Sequence, residues 1–130
     1  MDENVNPVYI NQLRRRESDL IIRAVGEPDT PLEEIRQQLQ SGELEVSVHA
    51  LRRMVERNIS EIEIRQVGEN AIIIEDYPDD KYSPSCLVLG FTTEGKVLHV
   101  QVSRKESDSL KIITLYEPDA NQWINYSQRR

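Results

Sequence analysis

The chain has 130 residues, 38% hydrophobic and 30% charged, with a formal net charge of −7. That length supports one domain around a single core, no apolar run is long enough to span a bilayer, and the acidity argues against a simple nucleic-acid binder. Cys86 is the only cysteine, which excludes an internal disulfide and a cysteine-based zinc site.

The opening MDENVNPVYINQ is acidic and lacks an apolar core, so it does not read as a secretory signal, and a reducing cytoplasm is the expected setting. Residues 1–30 read as an N-terminal extension. An amphipathic helix is expected from about Val8 to Val25, using Val8, Leu13, Leu20, Ile21 and Ile22, before GEPDTP breaks the pattern. Residues 31–130 read as a single α+β domain.

Thr30-Pro31-Leu32-Glu33 combines a cap, a proline suited to the first helical position and a capping-box glutamate. The helix it opens buries Leu32, Ile35 and Leu39 and ends at Ser41-Gly42. Ser47 caps a second helix running to about Asn58. Ser60-Glu61-Ile62-Glu63 is another capping box and starts a third, with Ile62, Ile64 and Val67 inside and Gly68 near its end.

The period then changes to extended. Ala71–Tyr77, Cys86–Thr92, Val97–Ser103 and Leu110–Tyr116 read as four strands, with TTEGK joining the middle two as an antiparallel hairpin. In VLHVQVS, Leu98, Val100 and Val102 alternate with His99, Gln101 and Ser103. In LKIITLY, Leu110, Ile112, Thr114 and Tyr116 are expected to share a face. The tail PDANQWINYSQRR suggests a short helix capped by Asp119, with Trp123 folded onto the core. Together these give N-terminal helices on one face of a mainly antiparallel, about four-stranded sheet.

Charge is unevenly spread. Residues 1–46 hold 5 basic and 10 acidic side chains, a net of −5; residues 47–130 hold 11 and 13, a net of −2. On a helical wheel of about 100° per residue, Val48, Leu51, Met54 and Val55 take one side of the second helix, with Ala50 at its margin. His49, Arg52, Arg53, Glu56 and Arg57 take the other. The plain reading is a surface helix with its apolar side inward and an Arg52–Glu56 pair four apart.

The sharper reading places His49, Arg53 and Arg57 along one stripe at i, i+4 and i+8. Imidazole exchanges protons near neutral pH, and guanidinium groups clamp phosphate. Those are the parts for metal-independent RNA cleavage, with His99 and Tyr116 as candidate proton-transfer partners from the sheet. Lys81 and Tyr82 lie in a polar loop, where they would touch phosphate and stack on a base or else simply be solvated. Asp76, Asp79 and Asp80 lack calcium-loop spacing, and no metal or other cofactor is expected.

The joint pattern His49-Ala50, Arg53-Met54, Glu56-Arg57, Ile59-Ser60, Tyr77-Pro78-Asp79-Asp80-Lys81, Pro84–Gly90, Leu98-His99-Val100 and Ile112–Pro118 with Trp123 resembles a small bacterial family, domain of unknown function 4258. The resemblance spans about residues 31–130. It implies a fold similar to RelE-like and barnase-like ribonucleases. It also implies a toxin role, with a YgiT-type zinc-finger antitoxin as protein partner and messenger RNA as substrate. His49, Arg53 and Arg57 carry over as site residues, followed by His99 and Tyr116, with Arg52 accessory. The competing reading is a non-catalytic module that docks RNA or an acidic protein partner. A third is a charged face with a purely structural role.

Overall fold

A computed structural model describes residues 31–81, 83–103 and 109–130. The expected helix at Val8–Val25, the Thr30 cap and Tyr82 lie outside the described residues. The elements run α1 (Pro31–Ser41), β1 (Leu44–Val46), α2 (Val48–Arg57), α3 (Glu61–Val67), β2 (Ile72–Tyr77), β3 (Ser85–Phe91), β4 (Val97–Ser103), β5 (Leu110–Tyr116), β6 (Trp123–Ile124) and β7 (Gln128–Arg129). Among the described residues, no helix is long and apolar enough to cross a membrane.

The helix boundaries follow their caps. Ser47 accepts a bond from the Ala50 amide, and α2 stops at Asn58, whose φ of 54° lies in the left-handed region that asparagine tolerates. At α3 both halves of the capping box form: the Ser60 hydroxyl accepts from the Glu63 amide, and the Glu63 carboxylate accepts from the Ser60 amide. Beyond α1, Gly42 takes φ +80°, a turn that a side chain would strain.

The main sheet has five strands in the order β1-β5-β4-β3-β2. The β2–β3, β3–β4 and β4–β5 pairs are antiparallel, the middle one as the hairpin signal at Thr92–Lys96 suggests. The fifth strand, β1, pairs parallel with β5 at the edge, setting Leu44 beside Leu110 and Val46 beside Ile112. Three residues between two helices carry too little period to be read as a strand from sequence.

One face of this sheet meets the helices. Ile35 and Leu39 of α1, Ala50 of α2, Ile59, and Ile64 and Val67 of α3 join Cys86, Val88, Leu98, Val100, Val102, Leu110, Ile112 and Leu115 in one buried cluster. Each fully buried aliphatic side chain contributes roughly 1.5–3 kcal/mol. At Gly90 a β-carbon would collide with the Val67 side chain, so α3 can rest on β3 only because that position is bare. Asn70 locks the same contact, donating to the Phe91 carbonyl at 2.9 Å and accepting from its amide at 2.7 Å.

Three expectations change. A bulge between β4 and β5 shifts the register, with Gln101 opposite Thr114 but Val102 opposite Ile112. Leu110, Ile112 and Leu115 therefore face the core, while Thr114 and Tyr116 fall on the opposite face with Gln101 and His99. The four β5 residues expected on one face are thus divided.

The tail forms a two-stranded β6–β7 ribbon, not a helix. Asp119 caps a tight turn, accepting from the Asn121 amide on its carboxylate and from the Gln122 amide on its carbonyl. Asn125 and Tyr126 both hold positive φ, 51° and 61°, and Ser127 donates back to the Ile124 carbonyl. The three-residue connection between Ile124 and Gln128 thus reverses the chain through two successive left-handed residues.

The third change is the roll of α2. Ala50 faces the core, Met54 packs against it and Arg57 reaches the sheet, whereas Val48, Leu51 and Val55 are exposed. The apolar half of the wheel is not the half that is buried.

Candidate functional site

The second sheet face is polar at its centre and is covered at one end by the β6–β7 ribbon. His99 sits there fully buried. Its register partners are Leu89 on β3 and Tyr116 on β5. Trp123 of β6 meets the imidazole edge-on at 4.5 Å between ring centroids, and Tyr116 does so at 5.2 Å.

Hydrogen bonds fix the histidine's tautomer. Nε2 lies 2.5 Å from the Tyr126 carbonyl oxygen, which can only accept, so Nε2 carries the proton. Nδ1 is then the acceptor for the Tyr116 hydroxyl at 3.2 Å in the neutral ring. Burial pushes the His99 pKa below its usual 6.5, against the raising effects of the Tyr126 bond and of Glu75. Burial likewise raises the Tyr116 phenol above 10.0.

An ion pair ties the ribbon to β2. Arg129 donates to both oxygens of Glu75, at 2.8 and 3.1 Å, and its guanidinium lies 4.7 Å from the Trp123 ring centroid. Glu75 also accepts from the Tyr77 hydroxyl. Arg129 is the main reason the Glu75 carboxyl titrates below its usual 4.5. Burial, then the Glu75 bond, pushes Tyr77 up to about 12.

Beside this cluster opens a cleft of about 540 Å³ lined by Arg57, Tyr116, Glu117, Asp119, Gln122, Trp123 and Arg129. Arg57 arrives from the end of α2, anchored by a 2.7 Å bond from Nη1 to the Leu115 carbonyl. That anchor sets its guanidinium next to Tyr116. Among the described residues Arg57 has no carboxylate partner, whereas Arg129 is paired with Glu75 and Glu117 lies 3.9 Å from Lys96.

The residues expected from sequence therefore separate into two sets. Arg57, Tyr116 and, behind it, His99 come together. Arg53 is half-buried, its guanidinium held 2.6 Å from Glu56 in place of the expected Arg52–Glu56 pair. His49 and Arg52 are exposed on α2. His49 lies eight residues before Arg57, about 12 Å along the helix axis, and does not line the cleft. Lys81 is an exposed turn residue whose amide donates to Asp80 at 2.8 Å.

Glu75, Tyr77, Trp123, Tyr126 and Arg129 belong to the cluster, although in the sequence only Tyr77 and Trp123 drew notice, as parts of the family pattern, and neither as a site residue. Nothing local marks a penultimate arginine as a partner for β2. A second polar group occupies the other end of the same face, where Ser85 is buried. Ser85 donates to Asp80 at 2.6 Å and accepts from Gln101 at 3.1 Å, beside a shallow hollow lined by Tyr77, Pro78, Asp79, Asp80 and Gln101.

The family described as domain of unknown function (DUF4258) matches residues 46–117, more than half of the sequence, from the last residue of β1 to just past the end of β5. The chain belongs to this family. Neither a curated protein nor a solved structure matches it. The matched span contains Arg57, His99 and Tyr116, while the ribbon that seals His99 lies beyond it.

Proposed function

We propose that this DUF4258 domain cleaves RNA without a metal ion, as the toxin of a toxin–antitoxin pair, using the cleft at Arg57 and Tyr116. The observation that carries the reading is the chain of contacts from the cleft inward: Tyr116 lines it, and its hydroxyl donates to an unprotonated nitrogen of neutral His99. A lone pair of the phenol oxygen remains for substrate.

In this reading a ribose 2′-hydroxyl donates to Tyr116 as Tyr116 passes its own proton to His99 Nδ1. The 2′-oxygen bonds to phosphorus and the bond to the 5′-oxygen breaks. The 5′-oxygen takes a proton from water, and the imidazolium returns its proton through Tyr116 to the hydroxide left behind. Arg57 stabilises the charge that builds on the phosphoryl oxygens. Glu75 favours the transient imidazolium, in keeping with its raising effect on His99. The products are a 2′,3′-cyclic phosphate and a 5′-hydroxyl end.

The test uses the full chain with end-labelled RNA in the presence of a chelator. Cleavage with cyclic-phosphate ends is expected. Tyr116→Phe should slow it by about 10²- to 10⁴-fold, Arg57→Ala should weaken it strongly, and His49→Ala should leave it nearly unchanged. Intact RNA after incubation with folded protein would overturn the proposal.

The second reading is binding without cleavage. It is favoured by the complete burial of His99 with both nitrogens engaged, which also suits a purely structural histidine. Retention of uncut RNA, lost on Arg57→Ala, would select it.

A further inference from the structure

The roll of α2 leaves an apolar stripe that no element packs on among the described residues. Val48, Leu51 and Val55 are 68%, 53% and 77% exposed, and Ile62, just past the turn into α3, is 67% exposed. Burial of such side chains is the usual outcome for an amphipathic helix, and a contiguous exposed set marks an interaction surface. The spacing on α2 is i, i+3 and i+7, the seam by which one helix packs against another.

The charges beside the stripe indicate what covers it. At about 100° per residue, Arg52 sits immediately next to Val48 and Val55, followed by Glu56 and His49. Glu56 is held by Arg53 at 2.6 Å. Arg52 and His49 have no hydrogen-bonding or ionic partner among the described residues. The unneutralised charge along the seam is therefore positive. Two copies packed antiparallel about the middle of the stripe would set Arg52 against the same arginine of the second copy, which disfavours self-association.

We propose that Val48, Leu51 and Val55 on α2 form a docking surface for an amphipathic helix of another protein, one that sets a carboxylate against Arg52. This surface is separate from the cleft. It stands whether or not the domain cleaves RNA.

The experiment uses the full chain and a fluorescein-labelled synthetic helical peptide with leucines at seam positions and glutamates beside them. Anisotropy should rise on adding protein. Replacing the glutamates by lysines should weaken binding about three- to tenfold, and Arg52→Glu in the protein should reverse that preference. Val55→Glu should weaken binding by more than about tenfold with an unchanged circular-dichroism spectrum, since Val55 is exposed in the folded chain. Absence of binding to the full chain, whether because another segment of the chain covers the stripe or because nothing recognises it, would overturn the proposal. So would a concentration-dependent dimer in sedimentation that Val55→Glu dissolves, since that assigns the stripe to a second copy.

Discussion

The two faces of the main sheet are buried by different means. The helix-side face packs aliphatic side chains against α1, α2 and α3. The other face is sealed around His99 by the phenol of Tyr116 on β5 and by a ribbon that supplies a carbonyl, an indole and one side of an ion pair. Apolar packing is non-directional and tolerates repacking. A polar seal depends on every partner being present, because an orphaned buried group costs its full desolvation. The first face therefore holds the fold, while the second holds one histidine tautomer beside a cleft and should respond to pH.

That contrast can be broken from either side. Leu98→Ala removes a fully buried side chain beneath the helices and should destabilise by about 2–5 kcal/mol in denaturant titration, with little change in pH dependence. Gly90→Ala forces a β-carbon into Val67 and should cost about 1–3 kcal/mol. A smaller cost would mean that α3 is less tightly seated on β3 than described.

On the polar face, His99→Phe keeps the ring volume but orphans the Tyr126 carbonyl and the Tyr116 hydroxyl. A loss of about 1–3 kcal/mol is expected. Its pH signature is more telling. His99 titrates below 6.5 in the folded chain, so as pH falls through the ordinary value the unfolded chain takes up the proton first, and stability drops with decreasing pH. Denaturation midpoints measured around pH 6.5 should slope downward toward acid in the native chain, and this slope should shrink in His99→Phe. An unchanged slope would remove His99 as its source.

The smallest effect is expected at Glu75. Arg129 is 63% exposed, and solvent-screened pairs contribute about 0–1 kcal/mol. Glu75→Gln should therefore cost little near neutral pH. Because the Glu75 pKa is lowered from 4.5, its stabilising contribution is present above that value and fades as pH falls through the folded-state value. The substitution should flatten the acid limb of the stability curve there, and an unaltered limb would show that the clamp does not hold the ribbon.

The same contrast explains what could be read from sequence. Caps at Ser47 and Ser60 and the alternation in β4 are local and strong, so the α+β order, the helix starts and the polar placement of His99, Gln101 and Ser103 were legible. Arg57 and Tyr116 could be named as candidates, but not their meeting, which depends on the Leu115 carbonyl anchor. The bulge in β5 moves Tyr116 to the His99 face without altering composition. In the tail, Asn125 and Tyr126 turn the chain through positive φ without a glycine to announce it. The roll of α2 was hidden because a wheel shows which half is apolar but not where the sheet lies. Arg57 and Ala50 settled that.

The role proposed for Tyr116, backed by neutral His99, is to accept a proton at the cleft. The most direct test is the pH profile of RNA cleavage by the native chain beside Tyr116→Phe, with product ends identified. Cyclic-phosphate products are expected, with a rate that holds through neutrality and falls only below the ordinary histidine range, and near-complete loss in the variant. Equal rates for the two proteins, or no cleavage by the folded native chain at any pH, would contradict it.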